Sequence, residues 1–247
     1  MKLFNKITAL SLTLVLLLGS LISCKEKVES YKATVSTSFT SDDPAMADAI
    51  AALEKSVVTL YVYGDSIMVV SETVLGDIEM DKTYTVIDGT LYNNTILKAE
   101  GKTVLEKEKA PFDSNKRAEF IGKVGAGASL DTNDFNNVTE TSLDSVTAYT
   151  CSGIKDDAKE SLVEIFGARF AGLDAGVSIQ DAEYYIEKTD GKVVSYILNA
   201  RFVITLNNET YSVNMTIECD YDYDSKVKVN APSGADFKET TYEDIIG

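Results

Sequence analysis

The chain has 247 residues, 39 of them acidic and 23 basic, for a formal charge of −16. Such a balance argues against nucleic acid as a partner, because neutralising phosphates is the main source of that affinity, and against electrostatic adhesion to anionic headgroups. The chain also contains no histidine, which removes the commonest general base and the commonest zinc ligand together. No enzyme activity, metal or cofactor is therefore expected.

At the N-terminus, Lys2 and Lys6 precede an apolar stretch from Ile7 to about Leu18, followed by the small residues Gly19, Ser20 and Ser23. This is the layout of a secretory signal. At its exit stands Leu21-Ile22-Ser23-Cys24, which resembles the lipobox of bacterial lipoproteins. The resemblance implies a diacylglyceryl group on the Cys24 sulfur and cleavage just before that residue. Residues 1–23 are then a signal peptide, 24–30 a short tether and 31–247 a single extracytoplasmic domain. Two acyl chains hold such a domain on a membrane where one chain binds only marginally. An uncleaved span is the competing reading, since about 17 residues separate Lys6 from Cys24, the lower edge of a bilayer crossing. Cleavage removes two lysines and no acid, so the mature chain is more anionic still, and the cell membrane is met through the lipid.

Tyr31 to Phe39 alternates Ala33, Val35, Thr37 and Phe39 and predicts a strand. Asp43 and Pro44 open a helix to Lys55, with Met46, Ile50, Leu53 and Val57 on one face. Val57–Tyr63 and Ile67–Thr73 form a hairpin. Strands follow at Thr83–Ile87, Leu91–Ala99 and Thr103–Lys107, punctuated by Asp88-Gly89 and Glu100-Gly101. After a break at Pro111, Asp113–Val124 reads as a short helix, Asp131–Asn137 as loop and Val146–Cys151 as a strand. Asp156–Phe170 is a helix with Ala158, Leu162, Ile165, Phe166 and Phe170 in one stripe. Then come strands Tyr184–Glu187, Lys192–Leu206 and Glu209–Val229. Tyr196, Leu198, Ala200, Phe202 and Ile204, and Tyr211, Val213, Met215, Ile217 and Cys219, alternate with polar neighbours. A sheet with one apolar and one wet face follows.

Strands first, a helical middle and strands last give an α+β fold: one large curved antiparallel sheet, an unclosed half-barrel, capped on its concave side by two or three helices. A lipoprotein with this element order, an acidic mature chain and long hairpin-linked strands resembles the LolA-type carrier fold, shared with the LppX and LprG lipoproteins. That resemblance implies a hollow that takes up acyl chains. The chain departs from the carriers by placing a strand before the first helix and by lacking tryptophan.

Several motifs dissolve on inspection. Gly101-Lys102-Thr103 lacks the first P-loop glycine, and Ser152-x-x-Lys155 lacks its companion motifs. Asp131, Asn133 and Phe135 begin like a calcium loop but lose a ligand at Phe135. Asp220, Asp222 and Asp224 share a strand face and read as a solvated acidic stripe that discourages edge pairing. Cys151 and Cys219, placed on neighbouring strands, either form a disulfide closing a loop of about 69 residues, worth roughly 4 kcal/mol, or remain two buried hydrophobes. Tyr196, Leu198, Phe202, Tyr211, Val213, Met215 and Ile217 are the candidate lining for a lipid or other hydrophobic ligand. The competing and simpler reading of the same residues is ordinary core beneath the helices, since a sheet must bury one face whether or not it carries a ligand. Two functions follow: a non-catalytic binder of a hydrophobic ligand, or an envelope adaptor with a packed interior, whose protein partner the residues do not identify.

Overall fold

The computed structural model describes residues 30–44, 56–75, 77–125, 130–167, 175–206, 209–233 and 236–246. The lipobox and the helix expected from Pro44 to Lys55 lie outside them, apart from Pro44 itself. The first six strands form an up-and-down meander: β1 (Tyr31–Thr40), β2 (Ser56–Tyr63), β3 (Ser66–Leu75), β4 (Ile78–Ile87), β5 (Thr90–Ala99) and β6 (Lys102–Pro111). A 3-10 turn at Ser114–Lys116 leads into helix α1 (Arg117–Gly125). A second meander contains β7 (Phe135–Leu143), β8 (Val146–Ile154), β9 (Ala175–Thr189), β10 (Lys192–Leu206) and β11 (Glu209–Asp222), with helix α2 (Asp156–Gly167) between β8 and β9. The chain closes with a two-residue strand, β12 (Lys238–Glu239), and helix α3 (Tyr242–Ile246).

All twelve of these strands belong to one sheet, in the order β12-β6-β5-β4-β3-β2-β1-β11-β10-β9-β8-β7. Its ladders are antiparallel except for the short β12–β6 pair. The two meanders join where β1 pairs with β11, Val35 opposite Cys219 and Thr37 opposite Ile217. Because β7 is at one end of that order and β6 is next to the other, the connection between them must cross the sheet. It carries α1 over the concave face, and the sheet stays an unclosed half-barrel among the described residues.

Local chemistry explains the turns. Asp88-Gly89, Glu100-Gly101 and Asp190-Gly191 each have positive φ at both residues, as the two-residue turn matching strand twist requires. The helices are placed by aromatic contacts on the buried face. Phe120 of α1 meets Tyr84 edge-on at 6.0 Å and Phe112 at 5.5 Å. Arg117 ties α1 to the β2–β3 turn, its Nη1 donating to the Asp65 carbonyl at 2.7 Å and its Nη2 to that of Gly64 at 2.9 Å. Phe166 of α2 stacks on Phe202 at 4.0 Å and meets Phe39 at 5.8 Å. One contiguous cluster of buried apolar residues runs beneath both helices, from Leu91 and Tyr84 through Val35 and Ile217 to Phe135 and Cys151.

The C-terminal segment closes one edge. Phe237 packs on Tyr92 at 5.2 Å, the Thr240 N–H donates to the Lys109 carbonyl, and α3 docks through Tyr242 on Phe112. Lys116 pairs with Glu243 at 2.8 Å, and Thr241 caps α3 by accepting from the Asp244 N–H.

Four expectations need correction. Asp131–Asn137 is not all loop: a 3-10 turn at Thr132–Asp134, capped by Asp131, runs into β7 at Phe135. Past Phe135, β7 is an edge strand exposed on both faces, so it carries no period-two signal. The strand expected at Tyr184–Glu187 starts much earlier, at Ala175, because Arg201 faces Asp181 while Phe202 faces Ile179. Gln180 is thus an extra residue, a bulge that reverses which parity faces inward. The last strand ends at Asp222 rather than Val229; there the Asp222 carboxylate accepts from the Asp224 N–H at 3.0 Å, a turn that competes with the ladder. Finally, Cys151 lies on β8 and Cys219 on β11, with β9 and β10 between them, and both are buried free thiols. Three strand spacings of about 4.8 Å far exceed the reach of a disulfide.

Candidate ligand-binding face

The seven residues singled out from sequence all face the concave side of β10 and β11. Phe202 stands opposite Val213, Leu198 opposite Ile217, and Tyr196 opposite Cys219. Six of the seven are buried, Phe202, Val213 and Ile217 completely. Tyr211 is half-exposed at the rim and donates its hydroxyl to Glu209. Over Phe202 the space is taken by Phe166 of the chain itself.

Next to this apolar field lies a hub of hydroxyls and thiols. Burial pushes the Cys219 thiol up to about 12, although hydrogen bonds with Tyr221 and Tyr196 act in the other direction. Burial, followed by the neighbouring Cys219, raises Tyr196 well above the ordinary phenol value. Tyr31 is raised to about 12, chiefly by burial and then by Tyr223; its ring lies 6.0 Å from both Tyr221 and Tyr223. None of these groups ionises near neutral pH.

The concave face changes character across β3–β6, which the sequence reading missed. The ladder register aligns Ser71, Lys82, Thr95 and Glu106 in one row across four strands, and Val69, Tyr84, Asn93 and Glu108 in the next. Ser56 and Thr73 pair in the row on the other side of Ser71. Tyr84 touches Phe120 of α1, so these alternating positions share the covered side. Asn93 is buried; its amide donates to Glu108 at 3.3 Å and its carbonyl accepts from Thr95 at 3.2 Å. The Lys82 ammonium lies 4.8 Å from the Tyr84 ring centroid and, among the described residues, forms no ion pair. Desolvation lowers Lys82 to about 8, opposed by the fields of Glu108 and Glu106. Among the described residues, the buried hydroxyl oxygens of Ser56 and Thr73 have no hydrogen-bond partner. β4 reads Met80-Asp81-Lys82-Thr83-Tyr84, with charges on both faces. Only the register reveals that Lys82 points toward the covered side.

Other features lie apart from this face. An open groove of about 420 Å³ forms on the convex side at the Gln180 bulge, between Glu183, Asn199, Arg201 and Thr216. Asp220 and Asp222 are exposed, as a solvated acidic stripe requires. The Asp131 and Asp134 carboxylates are spent on capping their own turn. No helix among the described residues is long and apolar enough to cross a membrane.

No protein-family model matches the chain, and no curated protein matches it. Among solved structures, it is similar to the ywiB protein from Bacillus subtilis, at 8% identity and a TM-score of 0.20, covering 79% of this chain and 93% of that one. It is also similar to the dehydratase domain of the polyketide PpsC from Mycobacterium tuberculosis, at 10% identity and a TM-score of 0.16, covering 88% and 82%. A third is an acyl-CoA thioesterase II, TesB2, from Mycobacterium marinum, at 8% identity and a TM-score of 0.12, covering 81% and 83%. Likenesses at these scores carry no argument about this chain.

Proposed function

We propose that this protein is a lipid-anchored extracytoplasmic module, tethered to the cell membrane through Cys24, that binds a hydrophobic ligand on the concave face of its sheet and carries out no catalysis. The observation that carries this reading is the composition of that face. It is apolar along β10 and β11 but mixed along β2–β6, where polar positions interrupt the buried Val69, Tyr84 and Leu91; among the described residues the half-buried Lys82 has no ion pair and the buried Ser56 and Thr73 hydroxyls have no partner. A face meant only for core packing would fill those positions with apolar side chains, because each unsatisfied buried hydroxyl costs about 1–3 kcal/mol. An amphiphile satisfies both halves at once. The test is native mass spectrometry of the protein purified from membranes without delipidation. A non-covalent lipid adduct supports the binder; bare lipoprotein that also fails to take up a fluorescent fatty acid would falsify it.

One observation favours the alternative, an adaptor with a packed interior: Phe166 fills the space over Phe202 with the chain's own ring. The two readings separate on ligand uptake, which an adaptor lacks.

A further inference from the structure

Lys82 lies where the concave face turns from apolar to polar, and its surroundings define what it can hold. Ser71 and Thr95 flank it in register on the two neighbouring strands, each about 4.8 Å away in the hydrogen-bonding direction. The Ser71–Thr95 row continues through Val58 and Val35 to Cys219 and Tyr196, passing from hydroxyls to aliphatic and aromatic side chains. From β4 to β10 this row spans five strand spacings, roughly 24 Å before curvature, the scale of a long acyl chain. One row further from Tyr84, the Ser56 and Thr73 hydroxyls are buried and have no partner among the described residues.

We propose that Lys82, with the Ser71 and Thr95 hydroxyls beside it, is the head-group site for a carboxylate-bearing amphiphile whose tail follows this row toward Tyr196. The inference rests on the hydrophobic-ligand reading above and adds the class of head group. Among the described residues, the titratable groups that face Lys82 are Glu106 and Glu108 from β6 and Tyr84 from its own strand. Glu108 is engaged by Asn93 and Glu106 is exposed at the rim. Their fields help keep the ammonium protonated at neutral pH, and they would repel the second charge of a phosphate monoester. A singly charged carboxylate fits. A desolvated ammonium costs stability in the empty protein, the pattern of a residue placed for function at the expense of the fold.

The full chain, released from non-ionic detergent micelles in native mass spectrometry, is offered palmitate, hexadecanol and hexanoate. The wild type is expected to hold palmitate at least tenfold better than hexadecanol at pH 7. That preference should fall as pH rises past about 8, where Lys82 loses its charge. Lys82→Met should reduce palmitate to the level of hexadecanol and raise the urea midpoint of the unliganded protein; Lys82→Arg should restore the preference. Equal palmitate binding by wild type and Lys82→Met would overturn the head-group site while leaving the hydrophobic face intact. Hexanoate binding as tight as palmitate would overturn the amphiphile and assign the site to a free small carboxylate. If no long-chain ligand binds to either protein, the hydrophobic-ligand reading fails and this inference falls with it.

Discussion

Phe166→Ala probes whether α2 is seated on the sheet as described. Phe166 and Phe202 are both fully buried, their rings stacked at 4.0 Å with planes 20° apart, and Phe39 supports Phe166 from β1. Truncating a buried phenylalanine costs about 3–5 kcal/mol through lost transfer energy and the cavity left behind. The stacked pair contributes about 0.5–1.5 kcal/mol of that beyond its area. With an m-value of about 3 kcal/mol/M for a chain of this size, a loss of about 4 kcal/mol lowers the urea midpoint by roughly 1.3 M. Far-UV circular dichroism across a urea titration measures the shift, and a double-mutant cycle with Phe202→Ala isolates the coupling. A loss under about 1 kcal/mol, or no coupling beyond about 0.3 kcal/mol, would mean that Phe166 does not cover Phe202.

Four further outcomes follow from named groups. The folded state holds the Cys219 thiol up to about 12 against an ordinary value near 9, so its contribution to stability is complete below about pH 9. It is lost as pH rises toward 12, by about 1.4 kcal/mol per pH unit; the stability difference between wild type and Cys219→Ala, followed by urea unfolding from pH 8 to 11, should narrow accordingly. Ile217→Asp places a carboxylate at a completely buried position and should abolish cooperative unfolding, whereas Thr216→Asp, on the other face, should cost under about 1 kcal/mol in the same titration. Thiol counting on unreduced protein should find Cys151 and Cys219 unreactive when folded and both reactive in denaturant; a lack of reactive thiols in denaturant would restore the disulfide. Cys24→Ala should release the domain from membranes or leave an uncleaved precursor, and normal fractionation of that variant would remove the lipobox reading.

Period-two alternation was legible wherever one face of a strand is buried and the other wet, so β1, β2, β10 and most of β11 could be read directly from residues such as Phe202, Val213 and Ile217. Turn chemistry was equally legible at Asp88-Gly89, Glu100-Gly101 and Asp190-Gly191. Alternation failed where its physical basis is absent. β7 is exposed on both faces past Phe135, and β9 changes parity at Gln180. The candidate site divides in the same way. Its apolar half announced itself through hydrophobic spacing. Its polar half depends on which strands are neighbours, because Ser71, Lys82, Thr95 and Glu106 are scattered in sequence and become a row only through the ladder register. The separation of Cys151 from Cys219 is likewise a property of strand order, which spacing along the chain does not carry.

The most direct test of a ligand on the concave face is crosslinking of the full-length protein with a palmitate analogue carrying a diazirine near its methyl end, followed by peptide mapping. Binding on this face predicts label on the inward positions of β10 and β11, at Tyr196, Leu198, Met215 or Ile217, competed by unlabelled palmitate. Label confined to convex positions such as Asn199, Arg201 and Thr216, or label that excess palmitate does not reduce, would contradict it.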